Sequence, residues 1–504
     1  MTDKKILLKN IFFTILYAIF TLILVLHHEI WADEAQVWML AKYLSIPELF
    51  KHLVNEGHPS LFYLLMMPFA KTGMSIFCMQ FVCWISTVIS VFLLLQYSPF
   101  SKGAKLAIIT SAGFLYFFPV LARTYSVLPM LVFFTAILYP KSEKHPFLYS
   151  TILFITANIH VIMLGFVGIL GCIFAYDNII KPWKQLQKTE KQKYISAVFI
   201  VFLGMFLVWL QLHGTTSSNA FIKYDFGNII SNTFSVTTKF FVDAYDARFS
   251  DTFEYLTISN TIFCILIVSI ILYITLFVIL FKTNKKMFLI ALCGVGFQFV
   301  VYILAYNYCV YVSRIFCAHI IVLFALWYVM NDKNTTEKTK KVINITLILF
   351  LIITLFNGIK YSLWDMLYNY SAAKPTAEFV EKNINKENSI IITDNIPYCM
   401  SLIYYLDGKY DIYSALTKKS IKYIVWDKTM YHFLSEEGWD DYMQYMKTVD
   451  KEFLTKKLYV VLPTFQKYMF DVNNLKNFKK IYESKDTVLK FEGYRIYEYT
   501  GSNK

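Results

Sequence analysis

Residues 27–38, with the sequence HHEIWADEAQVW, place the adjacent carboxylates of Asp33 and Glu34 directly after an apolar run over residues 6–26. A second apolar run covers residues 74–97. A run of about 20 apolar residues crosses a bilayer as a helix, and a carboxylate held at the mouth of such a helix costs free energy. The stretch therefore predicts a first membrane span that is followed by a functional loop.

The composition of the chain is typical of a membrane protein. Of the 504 residues, 57% are hydrophobic and 16% are charged, which is more apolar surface than a soluble domain needs. Most of the formal charge of +13 belongs to residues 1–359, which hold 27 basic and 16 acidic residues. These basic residues form no concentrated stripe, which argues against a nucleic-acid partner. The eight cysteines show neither metal-site spacing nor a disulfide framework.

The apolar runs predict an α-helical polytopic membrane protein with about eleven spans. The predicted spans cover residues 6–26, 75–97, 106–121, 125–140, 146–160, 161–178, 194–212, 258–281, 287–308, 313–330 and 342–359. With the N-terminus in the cytoplasm, 19 of the 27 basic residues fall on the cytoplasmic side, as the positive-inside rule requires. An odd number of spans then places residues 360–504 outside the cell membrane. We therefore divide the chain into a membrane domain, residues 1–359, and an extracytoplasmic domain, residues 360–504.

The extracytoplasmic part has the pattern of a small α/β domain, because β-rich runs alternate with helix-like segments. The β-rich runs are residues 389–393, 422–426, 458–462 and 494–499, and the helix-like segments are residues 397–406, 437–448 and 464–472. We find no glycine-rich phosphate loop among them.

Two outer loops are long. The first, residues 27–74, contains two helix-like pieces over residues 34–44 and 47–54. We predict that these helices lie at the membrane interface, with Trp31 and Trp38 as anchors, since tryptophan is enriched there. The second loop, residues 213–257, is longer than a purely structural connection requires.

The pair Asp33-Glu34 has two interpretations. Asp33 with Gln36 three residues later fits a capping box at the start of a helix. Alternatively, a carboxylate that is partly desolvated at the membrane surface serves as a general base toward an acceptor hydroxyl. From the pair alone, both interpretations stay open.

Arginine is scarce, with four residues against 44 lysines. Arg123, Arg248 and Arg314 all fall on the predicted outer side, where fork-shaped donors suit phosphate binding. The alternative is that these long side chains only snorkel at span ends. His58, with Glu56 two residues before it, and His160 also lie on this side. The alternative interpretation is that both histidines are ordinary polar residues of the connecting segments, without a functional role.

Several short motifs resemble one family of membrane enzymes. Residues 31–35 (WADEA) and 57–63 (GHPSLFY) resemble the first outer loop of GT-C-fold glycosyltransferases. Within this family, the motifs resemble those of the protein O-mannosyltransferases and of the bacterial aminoarabinose and related lipid-linked sugar transferases. Residues 122–125 (ARTY) and 313–315 (SRI) resemble two further stretches of the family. The resemblance covers the membrane part, and the tail only in outline.

The resemblance implies a sugar donor carried on polyprenyl phosphate and an envelope acceptor, which is a glycan, a lipid or a protein. The reaction would occur on the outer face by a single inverting displacement. Asp33 would be the general base with Glu34 beside it, and Arg123 would bind the donor phosphate. Arg314 and His58 are further phosphate-binding candidates. For the acceptor or substrate, Glu56 and His160 are the candidates.

The sequence departs from the family in two places. Members that use a metal carry another acidic residue soon after the arginine, whereas residues 126–129 here read SVLP. We therefore expect no cofactor, and a divalent metal is the disfavoured alternative. Some relatives have Lys-Pro-Pro where residues 58–60 of this chain read HPS. The contact that this segment makes with the donor in those relatives is therefore not implied for this chain.

Two other functions compete with transfer of a sugar. One is a non-catalytic transporter or flippase of lipid-linked glycans, which would need polar residues through the middle of the membrane. The other is an assembly partner in envelope polysaccharide synthesis, with the tail as its docking module. A cluster of Asp33, Arg123 and Arg314 around one cavity favours the enzyme.

The predicted topology is testable by cysteine labelling of intact cells, in a variant that lacks the native cysteines. A membrane-impermeant maleimide should label single cysteines within residues 380–500. It should miss those near Lys184 until the cells are lysed, since lysine-rich loops stay in the cytoplasm. The reverse pattern would show that the orientation is wrong.

Overall fold

The computed structural model describes residues 3–213, 226–238, 240–241, 260–306, 312–393, 395–414, 419–426, 456–464, 478–485 and 487–500. It is mostly helical, with a small sheet near the C-terminus. The helices are α1 Asp3–His27, α2 Ala32–Tyr43, α3 Ile46–Glu56, α4 Leu61–Lys71, α5 Phe77–Tyr97, α6 Lys102–Ile109, α7 Phe118–Val120, α8 Leu128–Leu138, α9 Pro146–Ile159, α10 Leu164–Ala175, α11 Lys188–Leu212, α12 Phe226–Thr238, α13 Asn260–Thr283, α14 Lys285–Val301, α15 Val312–Asn331, α16 Glu337–Leu367, α17 Ala373–Asn383 and α18 Ile396–Leu406.

Nine helical segments in the described part of the chain are long and apolar enough to cross a membrane. They support a membrane-embedded protein, as the composition predicts. The predicted span over residues 106–121 is instead a pair, Lys102–Ile109 and Gly113–Val120, bent by 53°. The predicted span over residues 146–160 is the helix Pro146–Ile159, which has only 14 residues. The number of eleven spans and their orientation therefore stay predictions.

Within its described residues, the C-terminal part forms a five-stranded mixed sheet in the order β2-β1-β3-β5-β4. The strands are β1 Ser389–Thr393, β2 Ile412–Ser414, β3 Lys457–Pro463, β4 Phe478–Glu483 and β5 Tyr494–Tyr499. Strand β1 pairs in parallel with β2 and β3, whereas β5 runs antiparallel to β3 and β4. The predicted α/β pattern is therefore confirmed within the described residues, at β1, β3, β5 and α18.

Of the other predictions for the tail and the second loop, one is wrong and the rest fall outside the described residues. The predicted strand over residues 422–426 is wrong, because this segment belongs to no strand and the backbone of Ile424 instead bonds to the Gln36 side chain. The helix-like residues 437–448, most of 464–472, most of the loop 213–257 and Arg248 lie outside the described residues.

The first loop is helical as predicted, but its helix α2 is buried in protein, whereas α3 keeps exposed apolar side chains at Ile46 and Phe50. Helices α2 and α3 match the two predicted pieces, and α4 is an additional helix. Trp31 and Trp38 are only 4% and 3% exposed, and the ring of Trp31 packs edge-on against Tyr370 of the C-terminal part. Their predicted role as interfacial anchors is therefore wrong, because the C-terminal domain covers α2.

Polar side chains join the C-terminal domain to α2. Glu492 accepts the backbone N–H of Ala32 at 2.8 Å and the hydroxyl of Ser401 at 2.8 Å. Gln36 exchanges two hydrogen bonds with the backbone of Ile424. The end of the helical bundle that this domain covers is called the domain face below.

The buried contact of Glu492 with α2 predicts that the stability of the protein depends on pH. Burial raises the pKa of Glu492 from 4.5 to about 7. The folded protein therefore keeps a proton that the unfolded chain releases, and stability falls as the pH rises from about 4.5 to 7. Glu492→Gln keeps an acceptor oxygen but removes this titration. We expect the variant to lose less thermal stability than the wild type over this range, by up to about 3 kcal/mol.

The measurement is the melting temperature of the detergent-solubilised protein across that pH range. Glu498→Gln in β5 is the control, because Glu498 pairs with Lys457 at the protein surface. Parallel melting curves for the wild type and Glu492→Gln would contradict the role of Glu492.

Candidate active site

The adjacent carboxylates of Asp33 and Glu34 lie on different sides of α2. Helix α2 starts at Ala32, so Asp33 and Glu34 are its second and third residues, about 100° apart around the axis. The Asp33 side chain is 32% exposed, whereas Glu34 is fully buried. The capping role belongs to Glu34, whose Oε2 lies 3.5 Å from the backbone N of Trp31. Asp33 is therefore not the helix cap.

Arg123 meets Asp33 directly. Its Nη2 atom lies 3.2 Å from Asp33 Oδ2, and its Nη1 donates to the backbone carbonyl of Asp33. The arginine has extended backbone just after α7, and the Ser126 hydroxyl closes this turn by donating to Leu121 O at 2.7 Å. Its side chain is 7% exposed. The turn thus aims a buried guanidinium at the start of α2.

Two histidines extend the cluster. Helix α3 ends at Glu56 and is capped by Gly57, whose φ of 69° glycine adopts readily, and His58 follows this turn. His58 Nε2 lies 3.3 Å from Arg123 Nη2, and its ring packs on that of His160 at a centroid distance of 4.7 Å. His160 sits in the break between α9 and α10 and is fully buried.

His58 is held as a neutral ring. Burial lowers its pKa well below 6.5, and the nearby His160, Arg123 and Arg314 lower it further. Its Nδ1 donates to the carbonyl of Gly57 at 3.0 Å, which leaves Nε2 to accept from Arg123. A neutral imidazole orients Arg123 but adds no positive charge for a phosphate.

Arg314 is the third residue of α15 and is 6% exposed. Its charge acts on His58, so it belongs to the same electrostatic environment. Of the predicted combination, Asp33 and Arg123 are in direct contact, and Arg314 is near enough for its charge to act on His58. Around His58, the described side chains are thus two cationic arginines, two neutral histidines and one partly exposed carboxylate.

Glu34 and Glu56 are occupied by other contacts. Glu34 Oε1 accepts the backbone N–H of Ala122 at 2.6 Å, and Oε2 lies 3.5 Å from His28 Nε2. Glu56 Oε1 accepts from Gln36 at 2.7 Å and from the Trp426 indole at 2.8 Å. Both glutamates therefore bind the protein itself, and Asp33 is the carboxylate of the candidate set that reaches solvent.

The structure adds residues that the sequence did not indicate. His28 Nδ1 lies 2.8 Å from Asp365 Oδ2, and Tyr116 donates to the same oxygen at 2.8 Å. In the sequence, the only indication of this group is that His28 lies within residues 27–38. Asp365 was hidden because α16 continues to Leu367, past the predicted span end at residue 359. Among the described residues, no group of three His, Cys, Asp or Glu side chains is arranged to hold a metal ion.

The neutral state of His58 is testable. The unfolded chain protonates this ring near its ordinary pKa of 6.5, whereas the folded protein does not. Stability therefore falls as the pH drops below about 6.5. His58→Gln keeps an acceptor for Arg123, so its melting temperature should fall less than that of the wild type on acidification. The control is His213→Gln, because His213 is exposed at the end of α11. Equal acid sensitivity of the wild type and His58→Gln would refute a buried neutral His58.

The chemistry that this cluster supports is proton acceptance by Asp33 beside an anion site at Arg123 and Arg314. The guanidinium fork suits the oxygens of a phosphate or carboxylate. No protein-family model matches the sequence, and no curated protein matches it.

Proposed function

We propose that the protein is an integral membrane glycosyltransferase that moves a sugar from a polyprenyl-phosphate donor to an envelope acceptor. The observation that carries the proposal is the contact of 3.2 Å between the partly exposed Asp33 carboxylate and the buried Arg123 guanidinium. It joins a proton acceptor to an anion-binding group within one site. A group-transfer reaction with a phosphate leaving group needs both.

The donor phosphate would bind at Arg123 and Arg314. Both side chains are buried, and within the described part of the chain Asp33 is the carboxylate that pairs with Arg123. Among the described residues, the Arg123 Nε atom is buried without a hydrogen-bond partner. A buried donor without a partner costs about 1–3 kcal/mol, which an anionic ligand would recover. Neutral His58 would keep the guanidinium oriented.

Donor binding would also activate the base. A phosphate that takes hydrogen bonds from Arg123 releases the Asp33 carboxylate from its ion pair. Asp33 then accepts the proton of the acceptor hydroxyl while that oxygen attacks the anomeric carbon. The bond from this carbon to the phosphate oxygen breaks, and polyprenyl phosphate leaves with its charge balanced by the arginines. The configuration at the anomeric carbon is inverted.

The architecture supports this proposal. A bundle of apolar helices carries a buried cationic site at one end and a mixed α/β domain over it, which agrees with the resemblance to GT-C-fold enzymes. The lysine distribution favours an outer location for the domain face. A donor used there would be lipid-linked. The occupied Glu34 and Glu56 make them weaker candidates for catalysis and acceptor binding than Asp33.

Transport of a lipid-linked glycan is the second candidate, and His319 favours it. This residue lies one and a half turns after Arg314 in α15, and both ring nitrogens are buried without a partner among the described residues. Its ring packs among four aromatic rings at centroid distances of 5.0 to 5.6 Å. A transporter would move a labelled lipid-linked sugar across a vesicle membrane without forming any new glycosidic bond.

The enzyme is tested with purified protein in lipid nanodiscs and a panel of radiolabelled polyprenyl-phosphate sugars. The readout is release of polyprenyl phosphate together with acceptor labelling. Asp33→Asn should lower turnover by ~10²–10⁴, which equals about 3–5 kcal/mol of barrier, because the amide cannot accept the proton. Protein level and donor binding should persist, since Asp33 does not cap α2.

Asp177→Asn is a matched control for this test. Asp177 is also 32% exposed and also pairs with a cation, Lys286, at 2.6 Å, but it lies at the predicted cytoplasmic end of the span over residues 161–178. Its substitution should leave turnover unchanged. An Asp33→Asn protein that transfers sugar at close to the wild-type rate would exclude Asp33 as the general base.

A further inference from the structure

Four buried side chains lie behind the contact between Asp33 and Arg123. They are His28, Glu34, Tyr116 and Asp365, and they are called the buried network below. The His28 ring bridges the two carboxylates, with Nδ1 at 2.8 Å from Asp365 and Nε2 at 3.5 Å from Glu34. The Tyr116 hydroxyl donates to Asp365 at 2.8 Å. The side chains of His28, Glu34 and Asp365 are each at most 2% exposed.

The charges in the buried network depend on one another. A buried carboxylate without a cation costs several kcal/mol, so Glu34 and Asp365 both need the His28 imidazolium. Burial lowers the pKa of His28, but Asp365 and Glu34 together raise it to about 10. The ring is therefore charged at neutral pH. The titratable groups that face it are Glu34, Asp365, Tyr116, Tyr370 and Glu29.

The buried network touches the candidate active site at two backbone positions. Glu34 directly follows Asp33 in α2, and its Oε1 accepts the N–H of Ala122, which directly precedes Arg123. This hydrogen bond of 2.6 Å links the segment around Asp33 to the segment around Arg123, in addition to the bond from Arg123 Nη1 to the Asp33 carbonyl. A shift of Glu34 would therefore move the backbone at Ala122 relative to the start of α2.

We propose that the buried network is a positioning device, in which Asp365 and His28 hold Glu34 so that Glu34 keeps Asp33 and Arg123 in reacting geometry. Glu34 and Asp365 are thus positioning residues and make no contact with the substrate. This inference rests on the proposed transferase function. It assigns to the second carboxylate of the Asp33-Glu34 pair a role different from that of the first.

The test uses three variants of the full-length protein in nanodiscs. Glu34→Gln and Asp365→Asn each remove one charge and keep the shape, whereas Tyr116→Phe removes one hydroxyl. The first readout is steady-state transfer kinetics at several pH values. The second is hydrogen exchange of a peptide that contains the Ala122 amide, which needs no substrate. Asp177→Asn is again the control for replacing a paired carboxylate with an amide.

We expect Glu34→Gln and Asp365→Asn to lower kcat by ~10- to 100-fold, because a misplacement near one ångström has an effect of this size. The KM for the donor should change by less than about threefold, since Arg123 and Arg314 remain. Asp365→Asn should move the alkaline limb of the kcat profile to lower pH, because His28 then holds its proton less tightly. Exchange at Ala122 should become faster in both variants, and Tyr116→Phe should show the same changes to a smaller extent.

The outcomes separate this inference from the proposed function. If the wild type transfers no sugar, the proposed function is wrong, and exchange at Ala122 alone decides whether the buried network holds the two backbones. If the wild type is active and Asp365→Asn leaves kcat, the pH profile and exchange unchanged, the inference is overturned. If Asp365→Asn does not accumulate, Tyr116→Phe decides by the same criteria.

Discussion

The burial of the Glu34 carboxylate is the constraint on which the domain face depends. This side chain has no exposed surface, so its charge needs a cation and hydrogen-bond donors from the protein. Those groups come from His28 at the end of α1 and from Ala122 after α7. His28 in turn requires Asp365 near the end of α16. One buried charge thus brings together segments that are hundreds of residues apart in the chain.

A second layer of polar contacts joins the C-terminal domain to the same helix. In each of these contacts, a side chain of one domain bonds to a backbone group or a charged side chain of the other domain. Glu492, which accepts the N–H of Ala32, is an example. Lys42 at the far end of α2 pairs with Asp407 at 2.6 Å. Helix α2 is therefore held at both ends by the domain that covers it. Its buried tryptophans show that this helix belongs to the protein interior.

The electrostatics of the cluster follow from burial. Within a site of low dielectric constant, two guanidinium groups beside neutral imidazoles attract an anion more strongly than the same groups would in water. The neutrality of His58 matters because a third cation would compete with Arg123 for Asp33. The arrangement leaves one carboxylate at the solvent side and two cations behind it, which is the polarity that a phosphate leaving group requires.

The amino-acid sequence determined the features that depend on local pattern. Apolar runs predicted the spanning helices, alternation predicted β1, β3 and β5, and the spacing in the first loop predicted α2 and α3. The scarcity of arginine singled out Arg123, and the quoted stretch singled out Asp33. These signals are local because helix and strand periodicity and side-chain chemistry act over a few residues.

Only the tertiary structure decided which of the candidate side chains meet. Asp33 and Arg123 are 90 residues apart in the chain, His28 and Asp365 are 337 apart, and Ala32 and Glu492 are 460 apart. No local pattern encodes such pairs, since they depend on how the helices pack and on where the C-terminal domain sits. The same packing separates Asp33 from Glu34, because a turn of about 100° per residue places one toward solvent and the other in the interior.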